Sequence, residues 1–301
     1  MSDTSLTKKK LLQIASSGKF VNFTPEQLSD LYEEVKEFLI VNHSQFDSSI
    51  ELFNIYELQF YLSVLTLHDI EAKNVLDKIT DQFESKSKDV SSQRVKLLKS
   101  IYYESQGDAN NQSKLLTEDP NELQLSRRLV TMSKSRDTPG KYINNLIYYL
   151  NLQPSDLQTW NELSEEYKKL GEYKKAIFCL KEIVLQDPLN YLIFYKIGLL
   201  NYYLFLQTDD TSSPKKDKKD KLLELMNILI NARDNYLYSI EINDKFVKSW
   251  VGLKALVDLT FFYDKLVKIN QSSKEIQQFL DTNDKLKPII EKKFIELDIK
   301  L

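Results

Sequence analysis

Apolar side chains recur every three or four residues over most of this chain, with charged residues between them. Near the middle, Trp160, Leu163 and Tyr167 follow this spacing, which places all three on one face of an α-helix. Further amphipathic stretches are 28–41, 49–67, 70–83, 251–269, 272–280 and 284–301. The pattern predicts an all-α protein.

Three prolines fall at a fixed interval within this helical pattern. Pro120, Pro154 and Pro188 are 34 residues apart twice over, each in a loop-like setting. A proline ends the preceding helix, because it forces the residue before it out of the helical conformation. A period of 34 is that of the tetratricopeptide (TPR) repeat, a helical pair that buries its apolar face against its neighbours. We therefore expect a TPR superhelix, an α-solenoid with irregular N- and C-terminal helices.

The segment from Leu157 to Asn190 carries the most complete repeat unit. Gly171 follows its first helix, where a left-handed cap is required, and Ala176 is small where two helices must approach closely. The residues that we expect to define the packing of the repeats are Trp160, Leu163, Tyr167, Gly171, Ala176, Pro188, Ala232 and Trp250.

Two independent spacings predict an insertion inside one repeat. Ala176 and Ala232 are 56 residues apart, and Trp160 and Trp250 are 90 apart, so each spacing exceeds a multiple of 34 by 22. We place the insertion near 207–222, which contains a Lys-rich run at 215–221. That run is either a solvated loop leading into a lengthened helix or an electrostatic tether to lipid headgroups or an acidic partner.

The repeats become irregular towards the N-terminus. Gly107 resembles Gly171, but it lies 13 residues before the next repeat proline rather than 17, which predicts a second helix about one turn shorter. Thr24, Pro25 and Gln27 form a helix start with a capping box. The organisation that we predict is irregular or TPR-like helices over 1–90, TPR repeats with the insertion over 91–260, and capping helices over 261–301.

Composition narrows the range of functions. With 6 glycines and 7 prolines in 301 residues, the chain has few helix breakers. Its 41 basic and 44 acidic residues are spread along the sequence, which disfavours binding to nucleic acid or to an anionic membrane surface. The lone cysteine, Cys179, is interpreted as a small buried apolar residue and fits a reducing compartment.

The apolar runs do not predict membrane insertion. The run after Lys8–Lys10 is too short for a signal peptide, and the most apolar stretch, 191–206, contains Lys196 and Asn201. A membrane span requires about 20 predominantly apolar residues. We expect the chain to stay on the cytosolic side without a transmembrane span of its own.

Candidate catalytic chemistry is sparse. The two histidines, His43 and His68, are far apart in sequence and lack companion cysteines, so neither a zinc site nor a Ser-His-Asp arrangement is readily assembled. Each histidine is interpreted as a helix-end or surface residue. The six glycines never cluster into a phosphate-binding loop. We expect no enzymatic activity, no cofactor and no metal.

One face of the repeats is a candidate binding wall. In TPR units the first helix contributes the inner wall, which here places Gln158, Asn161, Glu165 and Lys168 on it. The next unit contributes an apolar and aromatic set, typical of a groove that receives a helix or an extended segment. This predicted partner-binding set is Leu192, Tyr195, Leu199, Tyr202 and Tyr203. The alternative is that the insertion or the C-terminal helices of the same chain cover these residues.

The central repeat resembles a known family. The runs 160–167 (WNELSEEY), 170–182 (LGEYKKAIFCLKE) and 188–190 (PLN) are similar to the second subunit of the endoplasmic reticulum membrane protein complex. The stretch Ala176–Leu180 (AIFCL) goes beyond the general repeat pattern. The resemblance covers about 95–256.

This resemblance implies a non-catalytic scaffold on the cytosolic face of the endoplasmic reticulum membrane, held there through partner subunits. It would organise the cytosolic segments of membrane-embedded subunits of a transmembrane-segment insertase, and those subunits would handle the client segments. The alternative function is a free cytosolic TPR adaptor or co-chaperone that binds helical or extended peptide segments. Some TPR domains bind the C-terminal carboxylate of a chaperone through a pattern of basic and Asn side chains. That pattern is missing at Asn161 and Glu165, which disfavours the co-chaperone alternative.

Overall fold

The computed structural model describes residues 3–42, 46, 48–83, 92–119, 121–209, 218–269 and 274–299. All regular secondary structure in these ranges is helical, and they contain no strand. The predicted all-α class is therefore confirmed. The chain forms two compact units, Met1–Arg136 and Asp137–Leu301. The three-part organisation expected from the sequence stays a prediction.

The described residues of the first unit form seven α-helices and a short 3-10 helix, Lys19–Asn22. Helices adjacent in sequence pack on each other from α2 to α7, and α1 packs on α3, around buried residues such as Leu11, Phe60 and Leu98. The α-helices are α1 Asp3–Ser17, α2 Pro25–Asn42, α3 Ser49–Leu65, α4 Asp69–Phe83, α5 Gln93–Ser105, α6 Ala109–Thr117 and α7 Leu123–Arg136.

Two sequence features of the first unit are visible in its helix ends. The backbone N–H of Thr24 donates to Gln27 Oε1 at 3.1 Å, and the N–H of Gln27 donates back to Thr24 Oγ1 at 3.4 Å. This is the predicted capping box of α2. Gly107 has φ +72°, and the α6 helix after it has 9 residues, which confirms the predicted shortened second helix.

A polar cluster joins α2 to the start of α4. The Tyr32 hydroxyl donates to Glu71, and Lys36 Nζ lies 2.7 Å from Glu71 Oε1. Burial raises the pKa of Glu71, but the hydrogen bonds from Lys36 and Tyr32 outweigh burial and lower it below its ordinary value. The exposed His68 ring stacks on Tyr32 with centroids 4.2 Å apart, just before α4 begins. His68 is thus a helix-end residue, whereas His43 lies outside the described residues.

Eight α-helices lie in the described part of the second unit. Each helix from α8 to α12 packs on the helix that follows it in sequence. The last helix, α15, packs on α13 and α14. Its helices are α8 Pro139–Leu152, α9 Leu157–Lys169, α10 Tyr173–Gln186, α11 Tyr191–Asp209, α12 Lys218–Ile242, α13 Val247–Val257, α14 Thr260–Ile269 and α15 Lys274–Glu296.

The same turn precedes three of these helices, at 153–156, 187–190 and 243–246. Each turn begins with a backbone N–H bonded to the carbonyl four residues earlier, at 2.8, 2.8 and 3.0 Å for Gln153, Asp187 and Asn243. The turns are 34 and 56 residues apart, as in the sequence pattern. Pro120, the first of the repeat prolines, lies outside the described residues.

A tryptophan hydrogen bond recurs at two of these turns. Trp160 Nε1 donates to the carbonyl oxygen of Pro154 at 2.8 Å, and Trp250 Nε1 donates to that of Asp244 at 2.7 Å. Both bonds reach back six residues, so each indole fixes the start of its helix to the preceding turn. This satisfies an N–H group that would be costly to bury unpaired.

The 22 additional residues are shared between two helices and their connection. The α11 helix has 19 residues where α9 has 13, and α12 has 25 where α10 has 14. The connection between α11 and α12 is eight residues long, whereas that between α9 and α10 is three. The predicted insertion near 207–222 thus begins and ends in helices. Residues 210–217, with part of the Lys-rich run, lie outside the described residues.

The lengthened helical hairpin, formed by α11 and α12, packs around one tyrosine. Tyr236 of α12 is almost fully buried and lies against Gly198 of α11 and Gly252 of α13. A Cβ atom at Gly198 would lie 2.9 Å from Tyr236 Cδ1, and one at Gly252 would lie 2.5 Å from Tyr236 Cζ. Both positions therefore require glycine for steric reasons.

The C-terminal helices have other bounds than the three amphipathic stretches 251–269, 272–280 and 284–301. The stretch 251–269 is not one helix, because the chain turns at Asp258 and continues as α14, whose Phe262 is buried against Phe205. The stretches 272–280 and 284–301 are not separate, since α15 continues through 281–283. There the Thr282 hydroxyl donates a hydrogen bond to the carbonyl oxygen of Gln278. The side-chain oxygen of the buried Asn283 accepts a hydrogen bond from the Arg233 guanidinium.

Replacing Gly252 by alanine is expected to lower the free energy of unfolding by about 1–3 kcal/mol, because the added methyl group overpacks the Tyr236 site. Gly140→Ala is the matched control, since a Cβ at this helical position has no heavy atom within 4 Å. Urea denaturation of the two variants measures the difference. Equal stability of both variants would show that the close approach at Tyr236 does not constrain the packing.

Candidate protein-interaction surface

The predicted binding residues lie on neighbouring faces of α9 and α11. We call this surface the α9–α11 wall. It consists of Gln158, Asn161, Glu165 and Lys168 from α9, with Leu192, Tyr195, Leu199, Tyr202 and Tyr203 from α11.

Lys196 connects the two helices of the wall. Its Nζ lies 2.7 Å from Asn161 Oδ1 and 3.0 Å from Glu165 Oε1. Burial raises the pKa of Glu165, but the hydrogen bond and charge of Lys196 outweigh burial and hold it below its ordinary value. The pair therefore stabilises the fold above the ordinary pKa of a glutamate, and this is lost as the pH falls through the lowered value. Because both side chains are about one-third exposed, we expect at most about 1 kcal/mol.

The aromatic part of the wall packs against its own chain. The Tyr195 ring lies 6.0 Å from that of Tyr236 and 5.3 Å from that of Phe246, and Tyr203 lies 5.7 Å from Tyr173. Tyr202 stacks on Phe205 at 6.4 Å. These tyrosines are half-buried, and burial raises the pKa of Tyr195. Neighbouring helices thus already occupy much of their apolar surface.

Leu192 is the most exposed of the five predicted partner-binding residues. Its side chain is 43% exposed at the start of α11, whereas Leu199 is half-buried like the three tyrosines. A partner could therefore reach Leu192 and the edges of the tyrosine rings without unfolding the wall. The binding role of the five residues remains a prediction.

Sequence reasoning missed a second apolar surface on the other helices of this repeat. Phe178 of α10 is 57% exposed and meets Trp160 edge-on at 6.2 Å. The sequence pattern could have indicated this surface, because Phe178 is an aromatic residue outside the positions that pack within the repeat. Its neighbour Cys179 is buried, which raises the pKa of the thiol to about 12. Cys179 is therefore a packing residue rather than a nucleophile.

Within the described ranges, no three His, Cys, Asp or Glu side chains come together as metal ligands. No helix in these ranges, α11 included, is long and apolar enough to cross a membrane.

Comparison with known families identifies the repeats. Residues 88–213 match the model of the EMC2 TPR-like repeat domain. The resemblance seen in the sequence is thereby confirmed, and so is the TPR assignment of the fold.

Relatives extend the similarity beyond this domain. ER membrane protein complex subunit 2 of Saccharomyces cerevisiae is 26% identical over 93% of this chain and 96% of its own length. TPR repeat protein oca3 of Schizosaccharomyces pombe is 26% identical over 67% of this chain and 65% of its own. Among solved structures, the C-terminal part of a TPR repeat-containing protein from Cytophaga hutchinsonii has a TM-score of 0.43 at 14% identity. It covers 89% of this chain and 99% of that chain.

Replacing Lys196 by methionine is expected to raise the pKa of Glu165. The substitution removes the hydrogen bond and charge that lower this pKa, while the burial that raises it remains. Carboxyl-detected NMR titration measures the shift. Lys168→Met is the control, since its Nζ lies 3.3 Å from the other carboxylate oxygen and it should cause a smaller rise. If Lys196→Met leaves the Glu165 pKa unchanged, Lys196 does not organise the wall.

Proposed function

We propose that this chain is a non-catalytic scaffold subunit of the endoplasmic reticulum membrane protein complex. It lies on the cytosolic face of the membrane and is held there by other subunits. There it organises the cytosolic segments of membrane-embedded subunits of a transmembrane-segment insertase.

The observation that carries this proposal is the similarity to the yeast relative over nearly the whole of both chains. The domain match over 88–213 supports it, because it names the same complex and covers most of the regular repeats. TPR hairpins present broad faces made of side chains from several helices, which suits the binding of protein segments rather than catalysis.

The α9–α11 wall is the surface that we assign to these partners. Leu192 offers exposed apolar area, and the half-buried Tyr195 and Tyr202 add ring edges beside it. Lys196, Glu165 and Asn161 form a polar margin in which hydrogen bonds are already fixed. An apolar centre with a polar rim is typical of protein–protein interfaces.

Leu192→Glu tests this assignment. The variant places a charge where an apolar contact is proposed, so recovery of membrane-embedded subunits should fall by about tenfold, or 1.4 kcal/mol. Native affinity purification in mild detergent with quantitative mass spectrometry measures the recovery. Alanine substitution of Tyr195 or Tyr202 is less suitable, because these side chains also pack against the chain's own core.

Leu185→Glu is the matched control, since Leu185 is an exposed leucine of α10, outside the wall. Equal thermal unfolding midpoints of both variants show that the fold is intact. If both variants recover the membrane subunits equally well, the wall is not the binding surface. If the wild-type chain recovers chaperones but no membrane subunits, the free adaptor function replaces the proposed one.

A further inference from the structure

An open apolar groove lies between α8 and α10, with α9 as its floor. Its volume is about 620 Å³, within the range of roughly 300–1,000 Å³ that ligand pockets occupy. The apolar lining comes from all three helices and includes Ile147, Leu150, Trp160, Tyr167 and Phe178. The groove is therefore large enough for several apolar side chains of a partner.

The repeat itself does not require this groove to be open. Ninety residues downstream, Trp250 makes the same indole hydrogen bond as Trp160 but is only 6% exposed. Trp160 instead stands beside Phe178, whose ring is more than half exposed. Exposed aromatic clusters of this kind mark interaction sites.

The charged residues that line the groove are both lysines. Lys174 Nζ is 3.9 Å from the nearest carboxylate oxygen, on Glu224, and Lys175 Nζ is 3.5 Å from one on Glu172. Both side chains are mostly exposed, so these ion pairs are weak. Among the described residues that line the groove there is no carboxylate. Its rim therefore favours a partner with negative charges beside its apolar face.

We propose that the groove binds an amphipathic helix of another protein. The apolar side chains of that helix, spaced by three and four residues, fill the space around Trp160 and Phe178. Acidic residues along its edge meet Lys174 and Lys175. This inference does not depend on the proposed function, because the residues that line the groove are not those of the α9–α11 wall.

Two synthetic helical peptides test the proposal with the full chain. Both carry leucines at helical spacing, and they differ only in having Glu or Lys along the edge. In fluorescence anisotropy the Glu peptide should bind about tenfold more tightly than the Lys peptide. Phe178→Ala should weaken binding of the Glu peptide by about tenfold. Leu185→Ala is the control and should leave binding unchanged, because Leu185 is an exposed leucine of the same helix that lies outside the groove.

The double substitution Lys174→Glu, Lys175→Glu should reverse the preference between the two peptides. Thermal unfolding followed by circular dichroism confirms that each variant folds. Equal binding of both peptides, or no effect of Phe178→Ala, would overturn the proposal. Self-association in sedimentation velocity that Phe178→Ala abolishes would also overturn it, because the occupant would then be a second copy of this chain.

Discussion

Each helical hairpin of the second unit buries its apolar stripe only by packing on its neighbours. The recurring turns at 153–156, 187–190 and 243–246 fix where each hairpin begins. The indole hydrogen bonds of Trp160 and Trp250 attach the following helix to the turn. Because these contacts repeat, a change of length in one hairpin must be absorbed within that hairpin.

The lengthened pair α11 and α12 shows how this is achieved. Its additional residues leave the turns on either side unchanged, so α13 begins in the same way as α9. The closest packing then gathers around Tyr236, which requires glycine at both Gly198 and Gly252. The same packing brings Tyr236 and Phe246 against Tyr195, which reduces the apolar surface of the wall that is left for a partner.

Much of the fold could be predicted from the sequence, because its signals are local. The 34-residue period, the Thr24–Gln27 capping box and the shortened α6 depend on short stretches of chain. Within the continuous α15, by contrast, buried Asn283 accepts a hydrogen bond from Arg233, 50 residues away, and after the turn at Asp258 the ring of Phe262 is buried against Phe205. No local pattern contains such contacts.

The candidate site was harder to predict for the same reason. Periodicity placed Leu192, Tyr195 and Tyr202 on one helix face, but it could not show that Tyr195 packs on α12 and on the turn before α13. Nor could it show that Phe178 stays exposed, since that depends on the separation of α8 and α10. The spacing of residues thus identifies which side chains share a helix face. Packing by segments distant in sequence determines how much of that face remains exposed to a partner.

The proposed scaffold role requires that membrane-embedded subunits depend on this chain for their assembly. Acute depletion of the chain in cells, followed by quantitative mass spectrometry of the membrane fraction over time, tests this dependence. Assembled membrane subunits are expected to decline as the chain disappears and to recover when it is expressed again. Membrane subunits that remain assembled at undiminished levels without the chain would contradict it.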